Sequence, residues 1–178
     1  MTDVVVALAG PPASGKTSVA HAVAKRLDGT VLGFGDFVRA EARIRNVATD
    51  RASLQALGAK LHRSLGPTGF CDAVLARAGR TLEDRPVVWD GIRHVDVALR
   101  LRTLYPVPVR LVVLRPPEDE RRERFRGEVG SDERLAAFER HPTEGELPQL
   151  ERIADLVCPA PTIDGATRAV LQLLCAEG

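Results

Sequence analysis

The chain has 178 residues, of which 44% are hydrophobic and 28% are charged, a composition typical of globular proteins and not of disordered ones. Its 25 Lys and Arg nearly balance its 24 Asp and Glu, which argues against general nucleic-acid binding because such proteins carry a strong basic excess. The apolar run Val4–Gly10 is far too short to span a membrane, and the three cysteines lack the C-x-x-C spacing of metal sites. We therefore expect a cytoplasmic protein with a single domain over residues 1–178.

Five apolar runs predict the strands of a buried parallel sheet. They are Val4–Ala9, Thr30–Phe34, Pro86–Trp89, Val109–Leu114 and Leu156–Cys158. Helical patterns lie between them, at Thr17–Leu27, Asp36–Arg45, Ala52–Ser64, Thr68–Ala78, Val95–Leu104, Glu118–Arg126, Asp132–Arg140 and Ala166–Cys175. Strands that alternate with helices form βαβ units, so the sequence predicts a three-layer α/β fold with a five-stranded parallel sheet and helices on both faces.

The first strand leads into a phosphate-binding motif. Residues 10–17 read Gly-Pro-Pro-Ala-Ser-Gly-Lys-Thr, a full match to G-x-x-x-x-G-K-[ST] between a strand and a helix. Backbone N–H groups of such a loop, with the helix N-terminus behind them, surround phosphate oxygens, although an ordinary glycine-rich turn is the alternative. We expect Lys16 to bridge the β- and γ-phosphates of ATP and Thr17 to bind Mg²⁺ through its hydroxyl. The predicted nucleotide-binding residues are Gly10, Ala13, Ser14, Gly15, Lys16, Thr17 and Ser18.

This motif occurs in several protein classes, which later segments separate. A GTPase should carry an N/T-K-x-D motif after a later strand, but Val109–Leu114 is followed by Arg115-Pro116-Pro117. A motor ATPase usually needs a longer sheet. Of the protein classes that carry this motif, the compact kinases remain as the predicted class.

Two further motifs follow the second and third predicted strands. They are Gly35-Asp36-Phe37-Val38-Arg39 and Asp90-Gly91-Ile92-Arg93. Ligands of open α/β sheets bind beyond the carboxyl ends of the strands, so these motifs and the phosphate loop should converge. Asp90 suits a Mg²⁺ ligand or a holder of metal-bound water, but it could instead cap the next helix.

These motifs resemble those of the nucleoside-monophosphate kinase superfamily of P-loop proteins. Adenylate kinases carry G-D-x-x-R after strand two and D-G-F-P-R after strand three, and this chain matches the second motif with one residue fewer. The D-G-I-R form is similar to that of small nucleotide-kinase-like proteins related to dephospho-CoA kinase and adenylate kinase. The resemblance implies a P-loop kinase fold with acceptor-binding helices over residues of about 36–80 and a short lid over about 121–140.

The resemblance also implies roles for the remaining candidates. Arg39 and Arg93 would hold an acceptor phosphate, since an Arg fork grips phosphate oxygens at two points, although Arg39 could be a solvated helix residue. Asp36 would accept a proton from the acceptor, hold an acceptor hydroxyl or merely cap its helix. Arg124 resembles the lid-helix arginine that lies over the nucleotide, and Arg140 resembles a returning lid arginine that reaches the transferred phosphate.

One departure concerns the lid. A second lid arginine of adenylate kinases falls on Glu128 in this chain, so Arg126 could take its place. The helix over Glu118–Arg126 also pairs opposite charges at i,i+4, as a solvated helix would.

The sequence therefore predicts a monomeric or homodimeric kinase that uses ATP and Mg²⁺. It would transfer the γ-phosphoryl to a small-molecule acceptor, with Lys16, Asp36, Asp90, Arg124 and Arg140 as catalytic residues. The acceptor would be a nucleotide or nucleotide-like molecule, first of all a (deoxy)nucleoside monophosphate. Two alternatives stay open: a hydroxyl-directed kinase similar to dephospho-CoA kinase, with Asp36 as base, and a nucleotide-binding regulatory ATPase. The four histidines (His21, His62, His94 and His141) show no metal-ligand spacing and are expected on the surface or on helices.

Overall fold

The computed structural model describes residues 4–128 and 145–176. The predicted helix Asp132–Arg140, most of the predicted lid and Arg140 itself lie outside these residues. The strands are β1 (Val5–Ala9), β2 (Thr30–Gly33), β3 (Val87–Ile92), β4 (Val109–Leu114) and β5 (Leu156–Cys158). The described helices are α1 (Lys16–Leu27), α2 (Phe34–Ile44), α3 (Arg51–Ala78), α4 (Val95–Leu104), α5 (Glu118–Glu128), α6 (Leu147–Ile153) and α7 (Ile163–Cys175).

The five strands form one parallel sheet in the order β2-β3-β1-β4-β5. Because side chains alternate along a strand, Val5, Ala7 and Ala9 of β1 enter one apolar cluster while Val6 and Leu8 enter the other. Helices α2, α3, α4 and α6 cover the first face, and α1 and α7 cover the second. The predicted three-layer α/β fold with a five-stranded parallel sheet is confirmed.

At the candidate site, the C-terminal ends of β2 and β3 differ from the prediction. Strand β2 ends at Gly33, one residue earlier than predicted, and Phe34 is the first residue of α2. Strand β3 continues through Asp90 to Ile92. The register slips there, because Leu8 pairs with Asp90 whereas Ala9 pairs with Ile92, and the skipped Gly91 has a φ of 87°. A glycine at this bulge lets the strand pass Asp90 without strain.

The helices also differ from the sequence pattern in two places. The two helices predicted between residues 52 and 78 form α3, which is interrupted at Gly66 (φ 66°, ψ 173°) just before Pro67. Helix α6 was not predicted, because the Pro- and Gly-rich segment 141–148 indicated a break. Pro148 falls in the first turn of α6, where a missing N–H costs nothing. No helix in the described ranges is long and apolar enough to cross a membrane.

Candidate active site

The loop between β1 and α1 requires residues that tolerate left-handed backbone. Gly10, Ala13 and Gly15 have φ values of 146°, 57° and 83°. A Cβ on Gly10 would lie 2.5 Å from the carbonyl oxygen of Leu114, and one on Gly15 would lie 2.6 Å from Cδ1 of Ile163. The two motif glycines are therefore fixed both by conformation and by close packing against β4 and α7. Their turns shape a cradle that a triphosphate fits.

Lys16 lies inside this cradle. Its Nζ donates to the carbonyl oxygens of Gly10 and Pro11, each at 2.8 Å, and to the hydroxyl of Ser14 at 3.2 Å. Lys16 opens α1, and the exposed side chains of Thr17 and Ser18 follow it in the first turn. The ammonium is thus held at the helix N-terminus, where anions are stabilised.

The second strand-end motif joins the loop through one short contact. The hydroxyl of Thr17 donates to Oδ2 of Asp90 at 2.6 Å, although the two residues are 73 positions apart. Asp90 is 8% exposed, and its Oδ1 has no hydrogen-bond partner among the described residues. A buried carboxylate oxygen without a donor is costly, and it is a ligand type that Mg²⁺ accepts directly or through water. Thr17 and Asp90 therefore fit a magnesium site.

Helix α5 lies over the phosphate loop with two arginines. Arg124 reaches the carbonyl oxygens of Ser14 (3.5 Å) and Pro161 and so spans from the loop to the segment before α7. Arg121 is 8% exposed, and its Nη1 lies 3.5 Å from the carbonyl oxygen of Pro12. The structure thus places Arg124 at the predicted nucleotide side. Arg121 was not singled out from the sequence, where it is one of several arginines in a charged helix.

A cavity of about 470 Å³ adjoins the loop at the carboxyl ends of β1 and β4. Proline and leucine side chains form part of its wall, and its charged residues come from the segment after β4 and from α5. The lining residues are Pro11, Pro12, Arg115, Pro116, Pro117, Glu118, Arg121 and Leu147. The cavity borders the phosphate loop on the side of α5 and α6.

Asp36 and Arg39 lie in a separate cleft of about 340 Å³ along the outer edge of β2. Nη2 of Arg39 donates to Oδ1 of Asp36 at 2.6 Å, and the two side chains are 47% and 67% exposed. Arg43 and Arg77 also line this cleft, above an apolar floor that includes Phe37. Three guanidinium groups against one carboxylate make the cleft positively charged, as an anion site should be.

The remaining predicted residues are placed as follows. Arg93 lies in the turn between β3 and α4 and is half-buried; it does not line either cavity. Arg126 is exposed near the end of α5. Arg140 lies outside the described residues, so its role stays a prediction.

The fold and this geometry can be compared with known proteins. A protein-family model described as an AAA domain matches residues 5–152. The chain belongs to this family. Its members carry the P-loop described above, and the resemblance to P-loop kinases drawn from the motifs is confirmed at the level of the superfamily.

Two archaeal relatives are similar in sequence. A UPF0200 protein of Pyrococcus abyssi is 29% identical over 131 residues, which cover 72% of this chain and 70% of the relative. A UPF0200 protein of Methanothrix thermoacetophila is 34% identical over 118 residues, covering 66% of this chain and 63% of the relative.

Several solved structures share the fold, among them three kinases. The shikimate kinase of Bacteroides thetaiotaomicron has a TM-score of 0.60 at 17% identity, covering 96% of this chain and 98% of its own. A sugar kinase of Janibacter sp. HTCC2649 has a TM-score of 0.60 at 18% identity, covering 99% and 96%. The shikimate kinase of Acinetobacter baumannii, solved with shikimate, has a TM-score of 0.56 at 16% identity, covering 99% and 95%. The chain therefore has the fold of P-loop kinases.

Proposed function

We propose that this protein is an ATP-dependent phosphotransferase that moves the γ-phosphoryl of ATP to a phosphate on a nucleotide or nucleotide-like small molecule. The observation that carries the proposal is the 2.6 Å bond between the Thr17 hydroxyl and Asp90, with Oδ1 of Asp90 buried and without a hydrogen-bond partner among the described residues. It joins the phosphate loop and a strand-end carboxylate into one metal-binding group. Such a group would hold the Mg²⁺ that accompanies a bound nucleoside triphosphate.

On the donor side, the residues of this chain have separate tasks. The backbone of the loop holds the phosphates, and Lys16 exchanges its three loop acceptors for phosphate oxygens. Asp90 fixes the Thr17 hydroxyl so that the oxygen lone pairs face away from the carboxylate. Bound Mg²⁺ would neutralise the β- and γ-phosphates.

Arg124, from α5, adds positive charge over the loop. Together with Lys16 it disperses the charge that develops during transfer. Arg140 would join them from the returning part of a lid over residues 121–140 in a single kinase domain spanning 1–178. A cytoplasmic location and a monomeric or homodimeric state stay predictions.

On the acceptor side, the cleft beside β2 supports a phosphate-bearing substrate. Arg39 belongs to α2, which begins directly after Gly33, and Gly33 pairs with Asp90 in the sheet. The cleft is therefore one strand away from the metal-binding group. Arg43 and Arg77 add charge for an acceptor anion, and the segment 36–80 would form the acceptor-binding helices with Arg93 at its border.

A hydroxyl-directed kinase is the second candidate. It is favoured by the names of the solved neighbours, since shikimate and sugars offer hydroxyl groups. Asp36 would then act as base. The cleft of about 340 Å³ that contains Asp36 would hold such an acceptor.

One acceptor panel tests both candidates. The purified protein is incubated with ATP and Mg²⁺ together with nucleoside monophosphates, deoxynucleotides, dephospho-CoA, shikimate or simple sugars, and ADP release is measured. Lys16→Ala serves as the blank. We expect slow ATP hydrolysis alone and fast ADP release with one acceptor class.

The outcomes separate the alternatives. Acceleration by a monophosphate but not by its nucleoside supports the proposal, whereas acceleration by an unphosphorylated acceptor supports the hydroxyl-directed kinase. If no acceptor raises ADP release above the Lys16→Ala blank, the phosphotransferase proposal is wrong. A regulatory ATPase would then be the better description.

A further inference from the structure

Two histidine rings stack inside the protein on the acceptor side. The rings of His62, on α3, and His94, just before α4, are parallel within 3° with centroids 3.8 Å apart. Their side chains are only 15% and 12% exposed. His62 lies on a helix, as the sequence predicts, but His94 lies largely buried in a turn, which corrects the expectation of a surface or helix histidine.

Each ring is held by a carboxylate on its own side of the stack. Nε2 of His62 lies 3.0 Å from both carboxylate oxygens of Asp96, and Nδ1 of His94 lies 2.8 Å from Oε1 of Glu146. The other oxygen of Glu146 accepts from the backbone N–H of Val95 at 2.7 Å. Glu146 therefore caps the N-terminus of α4 from a position 51 residues away in the chain.

The histidine cluster packs against α3 beside its interruption at Gly66. It consists of His62, His94, Asp96 and Glu146. His62 lies one turn before the break at Gly66, and the edge of its ring meets Phe70, one turn after the break, at 6.0 Å. Phe70 in turn contacts Phe34 and Phe37 of α2, at centroid distances of 4.8 and 5.8 Å. The stack thus fixes both halves of α3 beneath the helix that carries Arg39.

The cluster also holds the turn that carries Arg93. Ile92 is buried as the last residue of β3, and the two residues after Arg93 are both bonded to Glu146. The backbone of Arg93 is therefore fixed from both sides.

We propose that His62, His94 and Glu146 are positioning residues that lock the acceptor-side helix α3 to the β3–α4 turn, so that Arg39 and Arg93 are held in register. The effect of this lock on catalysis rests on the proposed function. The lock itself is a property of the fold, so it can be tested without a known acceptor.

Hydrogen exchange tests the lock with Glu146→Ala. The matched control is Thr162→Ala, because the Thr162 side chain caps α7 by accepting from the N–H of Gly165 at 3.1 Å. Both variants lose one helix cap. Glu146→Ala should speed exchange of the Val95 amide roughly tenfold or more and also speed exchange across residues 57–65 of α3. Thr162→Ala should speed exchange only in α7.

Kinetics then tests the consequence, using the acceptor identified by the panel. Glu146→Ala should raise the acceptor KM by roughly tenfold and leave the KM for ATP unchanged, whereas Thr162→Ala should change neither. Glu146→Gln, which keeps an oxygen acceptor at the same chain length, should restore most of the acceptor KM. A second pair of variants probes the stack: His62→Phe, which keeps a flat ring, should retain more acceptor affinity than His62→Ala.

Each result tests a different part of the positioning proposal. Wild-type exchange in residues 57–65 of Glu146→Ala would show that α3 is not locked to the turn, and the proposal would be wrong. Faster exchange with an unchanged acceptor KM would leave a structural cap with no positioning role, which also overturns the proposal. An empty acceptor panel would count against the proposed function, while the exchange result would still decide the lock.

Discussion

Replacing Asp90 by Asn separates the metal-related role of this residue from its structural one. Asn has the same shape, and its side-chain oxygen can still accept from the Thr17 hydroxyl, a bond of 2.6 Å in the native protein. The charge is lost, however, and an amide nitrogen can replace Oδ1, the buried oxygen without a described partner. The substitution therefore removes the negative charge that a bound metal would need and keeps the oxygen that accepts the hydrogen bond from Thr17.

The expected magnitude follows from the hydrogen bond and the burial. Hydrogen bonds to charged groups contribute about 1.5–3 kcal/mol and neutral ones about 0.5–1.5 kcal/mol. A metal-bound water that donates to Asp90 would make the weaker, neutral bond in the Asn variant, and the difference of about 1–1.5 kcal/mol corresponds to a roughly 5- to 13-fold higher Mg²⁺ concentration for half-maximal activity. Because Asp90 is 8% exposed, neutralising it also lowers a desolvation cost, so the thermal midpoint should stay the same or rise.

The assay is a titration of ATP affinity and ADP release against Mg²⁺ for the native protein and the Asn variant. ATP affinity without metal should barely change. Asp36→Asn is the control, because Asp36 also follows a strand end but is exposed and paired with Arg39. An unchanged Mg²⁺ dependence in Asp90→Asn would refute the metal assignment and leave Asp90 a structural partner of Thr17.

Three further predictions concern the phosphate loop, the cleft and the thiols. Lys16→Ala should lower transfer by about 10²–10³-fold with an unchanged circular dichroism spectrum, and near-native turnover would contradict the loop assignment. Arg39→Lys should raise the acceptor KM by roughly ten- to a hundredfold and leave the KM for ATP unchanged, and the opposite pattern in steady-state kinetics would place Arg39 on the donor side. Burial raises the pKa of the Cys71 thiol to about 12, so this thiol stays protonated and unreactive at neutral and mildly alkaline pH. Of the free cysteines, buried Cys71 and Cys158 should resist iodoacetamide at pH 8 and exposed Cys175 should react, as mass spectrometry of the native protein would show.

The conformation of the phosphate loop could be predicted from the sequence because its signals are local. The phosphate loop is a contiguous motif whose glycines are needed for positive φ angles and close packing. The structure shows both at Gly10 and Gly15. Asp90 was found because an apolar run ends beside it. The bulge at Gly91 and the extension of β3 to Ile92 could not be predicted from the sequence, because they depend on pairing with β1.

The acceptor side was harder to predict because its contacts join distant segments. Glu146 caps α4 from beyond the segment that was interpreted as a break, and no local pattern links it to His94. The stack of His62 on His94 likewise requires α3 to bend at Gly66, which the Gly-Pro pair predicted only as an interruption. The sequence does not distinguish Arg121 from the neighbouring arginines of α5. Its contact with the phosphate loop at Pro12 becomes visible only in the structure.

A substitution in the Asp36–Arg39 pair would distinguish the two proposed acceptor classes. Both side chains are about half exposed or more, and exposed ion pairs contribute only about 0–1 kcal/mol, so an arriving phosphate can displace Asp36 from Arg39 at little cost. As a base for a hydroxyl acceptor, Asp36 would instead have to give up its bond to Arg39 when it takes the proton. Asp36→Asn should therefore leave kcat nearly unchanged and lower the KM for a phosphate-bearing acceptor, since Arg39 loses a competing partner. A loss of kcat of about 10²-fold or more in steady-state assays of this variant would instead identify Asp36 as the base and establish the hydroxyl-directed kinase.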